Sequence, residues 1–438
     1  MVVVPVSGRF VALLAAGLVP LVLFGTTSSA ALWILGGWLA LALLMGVIDT
    51  VLAASPRRVR IERDVPRQVR LGEQATSVLA VTNAGTRTLR ATVRDAWDPS
   101  AGAPRMRERI SIPPSERRAL RSTLSPTRRG ERRAHHVTIR SWGPMGLWAR
   151  QATLAAPGRL LVLPPFNSRK HLPSRLAKLR ELDGQTQLMV RGHGTEFDSL
   201  REYVRGDDVR SIDWRATARR QDLVVRTWRP ERDRRVVILV DAGRLSAARV
   251  DDEVRLDTAI ESSLLLAALA TRAGDRVDLL AFDRRVRGRV QGASGPTLTN
   301  RIVETLADVE PELIETDWTL APGLVRGVTT HRSLVLIVTT PDAAGSATSL
   351  LDVLPQLTRK HVVLVASVVD PEVWQATRDR SDREAVYRAA SAERVMLDRA
   401  RLHQAMRRFG ADVIEARPAD LPPAVADRYL EYKRAGKL

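Results

Sequence analysis

Three hydrophobic patterns follow one another along the chain, each with its own period. From Phe10 to Ile48 no residue is charged, a run too long for one membrane span and right for two of roughly 20 residues each. It predicts one helix from Phe10 to Phe24 or Gly25 and a second from Ala31 to about Leu52, with the turn at Gly25–Ser29. From Val59 the pattern becomes short alternating runs at residues 59–61, 69–71, 78–81, 89–93, 137–139 and 160–163, punctuated at Gly72 and Gly85. Such runs predict an antiparallel, sandwich-like β-module. Beyond Asp233 the apolar runs become continuous, at 235–240, 277–282, 334–338, 362–366 and 411–414, with helical stretches at 256–270, 298–306, 350–357 and about 382–409 between them. Strands apolar on both faces and joined by helices imply a doubly wound α/β domain around a parallel sheet.

The chain is therefore expected to be multi-domain: a transmembrane helical hairpin (1–56), a β-sandwich-like module (57–165), a linker with a polar and aromatic stretch (166–233), and the α/β domain (234–438). In the linker, Leu172, Leu176, Leu179 and Leu182 mark one face of a short helix. Arginines set the membrane orientation. Arg9 precedes the first span, the loop between the spans has no basic residue, and Arg57, Arg58, Arg60 and Arg63 follow the second. Basic flanks stay in the cytoplasm, so both ends and the folded domains are expected there, at the cytoplasmic (inner) membrane. The competing reading is a signal peptide cleaved after Ser28-Ser29-Ala30, which the sparse positive charge of the N-terminal region disfavours.

Composition removes several functions. The chain has no cysteine, which excludes disulfides, thiolate metal sites and cysteine nucleophiles. The net charge of +19 raises nucleic acid as a partner. However, only five of the 68 basic residues are lysines, arginine is spread through every segment, and aromatics are 4% of the chain, too few for base stacking. A position beside anionic lipid accounts for the charge better, and no nucleic acid is expected. His135 and His136 are adjacent in a strand, so they are expected to point to opposite faces and form no metal pair.

The densest mixture of aromatics, glycines and opposed charges runs from Gly192 to Glu231. Gly206 permits a backbone turn, Asp207 and Asp208 follow it, and Asp213 is placed to cap a short helix from Trp214 to Arg219. Arg201, Arg205, Arg210, Arg215 and Arg219 surround these carboxylates, so a hydrogen-bonded knot is expected, with Phe197, Tyr203 and Trp214 as buried anchors. A catalytic alternative puts the three aspartates on a metal, or uses one as a base near His193. The spacing matches no calcium loop, zinc motif or nucleophile elbow. With its G-x-E-F-x-x-L-R-E-Y-x-x-G-D-D-x-R-x-I-D-W-x-x-x-A-R order, this stretch resembles the signature of the DUF58 family. Arg128-Arg129-Gly130 and Trp142–Trp148 resemble a second family feature, an R-R-G turn before a D-P-F-G-L-F-like corner. Trp142 and Gly143 stand where that aspartate would be, so its role is expected to be lost.

The α/β half resembles a von Willebrand factor A domain. That resemblance implies a magnesium site of the form D-x-S-x-S with a threonine and a later aspartate. In this chain Asp241 is present, Gly243 and Leu245 replace both serines, Thr316 stands for the threonine, and Val338-Thr339-Thr340-Pro341-Asp342 has threonine in the late aspartate's place. Ser246 and Asp342 are displaced by one or two positions. No metal and no cofactor are expected. The resemblance also implies a partner, because members of the family are commonly paired with MoxR-type AAA+ ATPases. The chain lacks a phosphate-binding G-x-x-x-x-G-K-[ST] loop of its own. The expected function is a non-enzymatic, membrane-anchored adaptor or scaffold, and the alternative is a hydrolase centred on the aspartates.

Overall fold

The structure is a computed structural model that describes residues 5–104, 107–189, 196–205, 207–229, 234–251, 253–293, 295–341 and 344–438. The chain divides into two compact units, Met1–Leu163 and Pro164–Leu438. The apolar helices therefore share a unit with the β-strands that follow them.

In the first unit, α1 (Gly8–Ala16) and α2 (Leu18–Phe24) are separated at Gly17, and α3 (Ser28–Leu52) runs unbroken for 25 residues. Only α3 is long and apolar enough to cross a membrane among the described residues; Gly8–Phe24 is shorter. The expected first span is thus broken in two. Gly17 is where α1 meets α3: a β-carbon there would strike the Trp38 ring, whose Nε1 donates to Leu13 O at 2.9 Å. Phe10, Ala42 and Leu147 form a small core where the helices meet the strands.

Eight strands follow: β1 (Val59–Asp64), β2 (Gln68–Arg70), β3 (Ala75–Asn83), β4 (Leu89–Trp97), β5 (Glu108–Ile112), β6 (Arg117–Leu124), β7 (Gly130–Trp142) and β8 (Ala149–Leu163). They form a three-stranded sheet, β1-β3-β6, and a five-stranded sheet, β2-β8-β7-β4-β5. Leu79, Val81 and Leu120 from the first and Leu89, Val93, Ile110 and Ile139 from the second share one core. The β6 run carries three arginines in eight residues and gives little apolar signal. The expected antiparallel sandwich needs one correction, since β2 pairs in parallel with β8. A register shift between Ala134 and His136 breaks the alternation of β7, so His135 and His136 are both exposed instead of pointing to opposite faces.

In the second unit α4 (Leu172–Met189) leads to a two-stranded ladder of β9 (Glu196–Glu202) and β10 (Val224–Arg229), with α5 (Trp214–Arg220) between them in sequence. The rest is β11 (Arg235–Asp241), the short ladder β12 (Arg249–Val250) and β13 (Glu253–Val254), α6 (Arg255–Arg272), β14 (Arg276–Phe282), β15 (Val286–Val290), α7 (Gly295–Ala307), α8 (Ala321–Arg326), β16 (Leu334–Val338), α9 (Ala344–Thr358), β17 (Val362–Val368), α10 (Pro371–Ala376), α11 (Arg383–Arg408), β18 (Asp412–Ala416) and α12 (Leu421–Arg434). The main sheet has the order β15-β14-β11-β16-β17-β18 and is parallel except for the β15 edge. Successive strands go first to one side of β11 and then to the other, so the order reverses beside its carboxyl end, where open α/β sheets place their crevices. Phe282 and Trp318 pack edge to face beneath this point, with centroids 5.4 Å apart.

Candidate functional site

Two clusters hold the residues singled out in the sequence. The first is built on the β9–β10 ladder, where Phe197 pairs in register with Trp228. Asp213 N donates to Val224 O at 2.9 Å and Tyr203 N to Leu223 O at 2.8 Å, so the connecting segment folds back on β10. Asp213 then caps α5 from an extended backbone: its Oδ1 accepts from the amides of Arg215 and Ala216 at 3.0 Å each, and its Oδ2 from Arg226 Nε at 2.8 Å. The Ala216 amide and then the Arg226 guanidinium hold this carboxyl below the usual carboxylate range.

Asp207 is engaged in a similar way. Arg201 grips both its oxygens, at 2.6 and 2.8 Å, and the Val204 amide adds a bond of 2.9 Å. The guanidinium is the main reason that its carboxyl is also held low, with the amide second. Asp208 Oδ1 accepts from the Arg210 amide at 3.0 Å. The carboxylates thus serve as caps and ion-pair partners.

Three expectations change. The guanidinium on Asp213 comes from Arg226, which was not among the predicted arginines, and Arg210 meets Asp208 through its backbone, not its side chain. Trp214 is not a buried anchor: it is 68% exposed, whereas Thr217 of the same helix accepts the Val224 amide at 3.1 Å. Tyr203 is half-buried. Val204 and Val209 are exposed beside it in sequence, as are Arg205, Arg210, Arg215 and Arg219. The predicted positions Gly206 and His193 lie outside the described residues, as does the side chain of Phe197.

The second cluster sits at the carboxyl ends of β11 and β16, where the sheet order reverses. Asp241 is buried, and both its oxygens are taken by protein donors. Thr316 Oγ1 and the Gly243 amide (2.8 Å) donate to Oδ1, and Thr339 Oγ1 donates to Oδ2 at 2.6 Å. Gly243 is needed for this closeness, since a β-carbon would collide with Thr316 Oγ1. Burial pushes the Asp241 carboxyl up, against the pull of the three donors. Arg244 and Glu315 pair at 2.6 Å on the wall of a small pocket whose lining also includes Leu245 and Trp318.

The residues present do not fit a magnesium ion. Position 245 offers no oxygen, Ser246 Oγ turns to the Asp241 carbonyl at 2.7 Å, and the hydroxyls of Thr316 and Thr339 are committed to the carboxylate. Asp342 lies outside the described residues. Thr339, 98 positions from Asp241, belongs to the stretch read as holding the late aspartate's place, and its bond to the Asp241 carboxylate is what sequence reasoning missed. Its place after an apolar strand was visible, but its contact was not.

Residues 199–408 match the family model described as "Protein of unknown function DUF58", a region that contains most of the first cluster and the sheet up to α11. The uncharacterised protein YeaD of Bacillus subtilis is 25% identical over 142 residues, covering 32% of this chain and 35% of that protein. The uncharacterised protein Rv1480 of Mycobacterium tuberculosis is 26% identical over 193 residues, 43% of this chain and 60% of that one. The chain thus matches about a third to three fifths of these relatives' length. Among solved structures, the CARDB domain of a Pyrococcus furiosus protein, in complex with di-metal ions, is 19% identical. It covers 24% of this chain and 93% of its own at a TM-score of 0.17, which is too low to bear on fold or function.

Proposed function

We propose that this chain is a membrane-anchored cytoplasmic adaptor whose α/β unit, a degenerate relative of the von Willebrand factor A domain, binds protein partners. The observation that carries the reading is the state of the carboxylates. Asp207, Asp213 and Asp241 are each engaged through both oxygens by arginines, amides or hydroxyls, while the apolar and arginine side chains beside Asp213 face outward. A general base needs a free lone pair aimed at a substrate, whereas a binding surface needs rigid support and exposed aromatic and arginine groups. This supports an adaptor over a hydrolase centred on the aspartates.

In this reading α3 anchors the chain, the shorter Gly8–Phe24 segment completes a hairpin, and the arginines after α3 keep the folded units in the cytoplasm. The partner is a MoxR-type AAA+ ATPase, which supplies the nucleotide site, since this sequence carries no G-x-x-x-x-G-K-[ST] loop. The test is affinity capture of the full-length chain from solubilised membranes, comparing wild type with Asp213→Ala and identifying any ATPase recovered. Recovery by wild type is the expected result. Recovery of no ATPase by either protein would remove the partner from the proposal, and equal recovery by both would move the docking surface away from the Asp213 knot.

A further inference from the structure

The helix α11 is polar along most of its length, yet it also leaves apolar side chains exposed. Of its 26 residues only Ala385, Ala389, Ala392 and Met406 are buried, while Val386, Tyr387, Val395, Met396 and Leu397 are exposed. With the short α10 it bounds an open groove of about 480 Å³, floored by Val373, Ala376, Tyr387, Ala392 and Val395. The rim carries Asp370, Glu372 and Glu384; Arg388 reaches Glu384 at 3.9 Å and Arg383 lies over the Tyr387 ring, which leaves a small excess of acidic groups. In a chain of net charge +19, an acidic, apolar-floored groove stands apart and calls for a basic, apolar occupant.

The same unit displays such an occupant. Trp214 stands 68% exposed at the start of α5, and Arg210, Arg215 and Arg219, near it in sequence, are exposed as well. Tryptophan and arginine are the residue types that dominate interface hot spots. The Asp213 cap and its Arg226 bond hold the first turn of this helix in place, so the indole is presented on a rigid base.

We propose that the arginine-flanked Trp214 of one copy docks in the α10–α11 groove of a second copy of this chain. The indole would cover the apolar floor, and the arginines would face Glu372 and Glu384. In this structure Trp214 is exposed and the groove is open, so the contact forms between copies. Two different patches meet in it, so the contact closes as a two-fold dimer where it is reciprocated and otherwise repeats into rings or filaments. The proposal goes beyond the adaptor reading and does not depend on the identity of any ATPase.

The absence of cysteine from the sequence allows a clean test. Two differently tagged full-length chains are co-expressed, one carrying Ala218→Cys, a turn after Trp214, and the other Ser391→Cys on the groove, and membranes are treated with a short bis-maleimide. The expected product is a covalent dimer bearing both tags. It should fall at least tenfold when the first chain also carries Trp214→Ala, or the second Glu372→Arg with Glu384→Arg, and should persist with Trp214→Phe. These side chains are exposed, and the circular dichroism of each purified variant checks that the fold is retained. Absence of the doubly tagged product, or a yield unchanged by Trp214→Ala, would overturn the proposal.

Discussion

Replacing Asp49 with alanine tests how the apolar helix is tied to the strands that follow it. Asp49 lies near the end of α3 and is completely buried. Its Oδ1 accepts from the Met145 amide at 2.8 Å, and its Oδ2 from the amides of Leu147 and Trp148 at 2.7 and 3.1 Å. A hydrogen bond to a charged group contributes about 1.5–3 kcal/mol net. Three independent bonds would exceed the expected total, because two share one oxygen and an opened loop regains water. On the order of 3–5 kcal/mol is therefore expected for loss of the carboxylate. At 1.4 kcal/mol per factor of ten, amide exchange in the 143–148 loop should accelerate by on the order of 100- to 5,000-fold. Asp49→Asn should fall between, since an amide oxygen can still serve Leu147 and Trp148 while its NH₂ faces the Met145 amide. The assay is hydrogen exchange by mass spectrometry on the full-length chain in detergent, reading the peptide that contains 145–148. Gly143→Ala supplies a second route to the same outcome, because a β-carbon at 143 would collide with the Asp49 carboxylate and carbonyl. An exchange rate in Asp49→Ala equal to wild type would refute the reasoning.

Three further outcomes follow from the unit that begins at Pro164. Asp213→Ala removes the α5 cap and the Arg226 partner, so limited trypsin digestion should cut at Arg215 and Arg219 sooner than in wild type while the far-ultraviolet dichroism of the main sheet is retained. Gly243→Ala, at an extended backbone position free of φ strain, should destabilise by about 1–3 kcal/mol through its clash with Thr316, read as a lower denaturant midpoint. Asp241 gives a pH test. Its folded-state carboxyl is raised by burial, so the folded protein holds that proton more tightly than the unfolded chain does. Its contribution is fully present below the ordinary aspartate range and is lost as pH rises through the raised value. Asp241→Asn should remove this downward slope from the stability curve, and a slope unchanged in the variant would contradict the assignment.

Parts of the site were legible because their causes are local. An aspartate two residues before Arg215 caps a helix through amides it cannot avoid meeting, so Asp213 was readable as a cap from sequence alone. The pairing of Asp207 with an arginine was also foreseeable, since Arg201 is six residues away across a tight turn. The choice of Arg226 for Asp213 was not, because it depends on the chain folding back so that Ile212 bridges Val225 and the Asp213 amide meets Val224 O. Trp214 was misread for the same reason. Which side of a one-turn cap faces the ladder is settled by the partner strand, not by the identity of the residue.

Sequence alone determined the succession of an uncharged N-terminal stretch, short strands and continuous buried strands, because burial on one face or two imposes a period that can be read residue by residue. It also limited the chemistry, by omitting cysteine and by replacing the serine hydroxyls near Asp241 with Gly243 and Leu245. Tertiary structure decided what those residues became. It brought Thr339 to Asp241 across 98 positions, paired β2 in parallel with β8, and set Asp49 into a loop almost a hundred residues away. These outcomes rest on contacts between distant segments, whose geometry is fixed only when the sheets assemble, and a linear pattern carries no record of it.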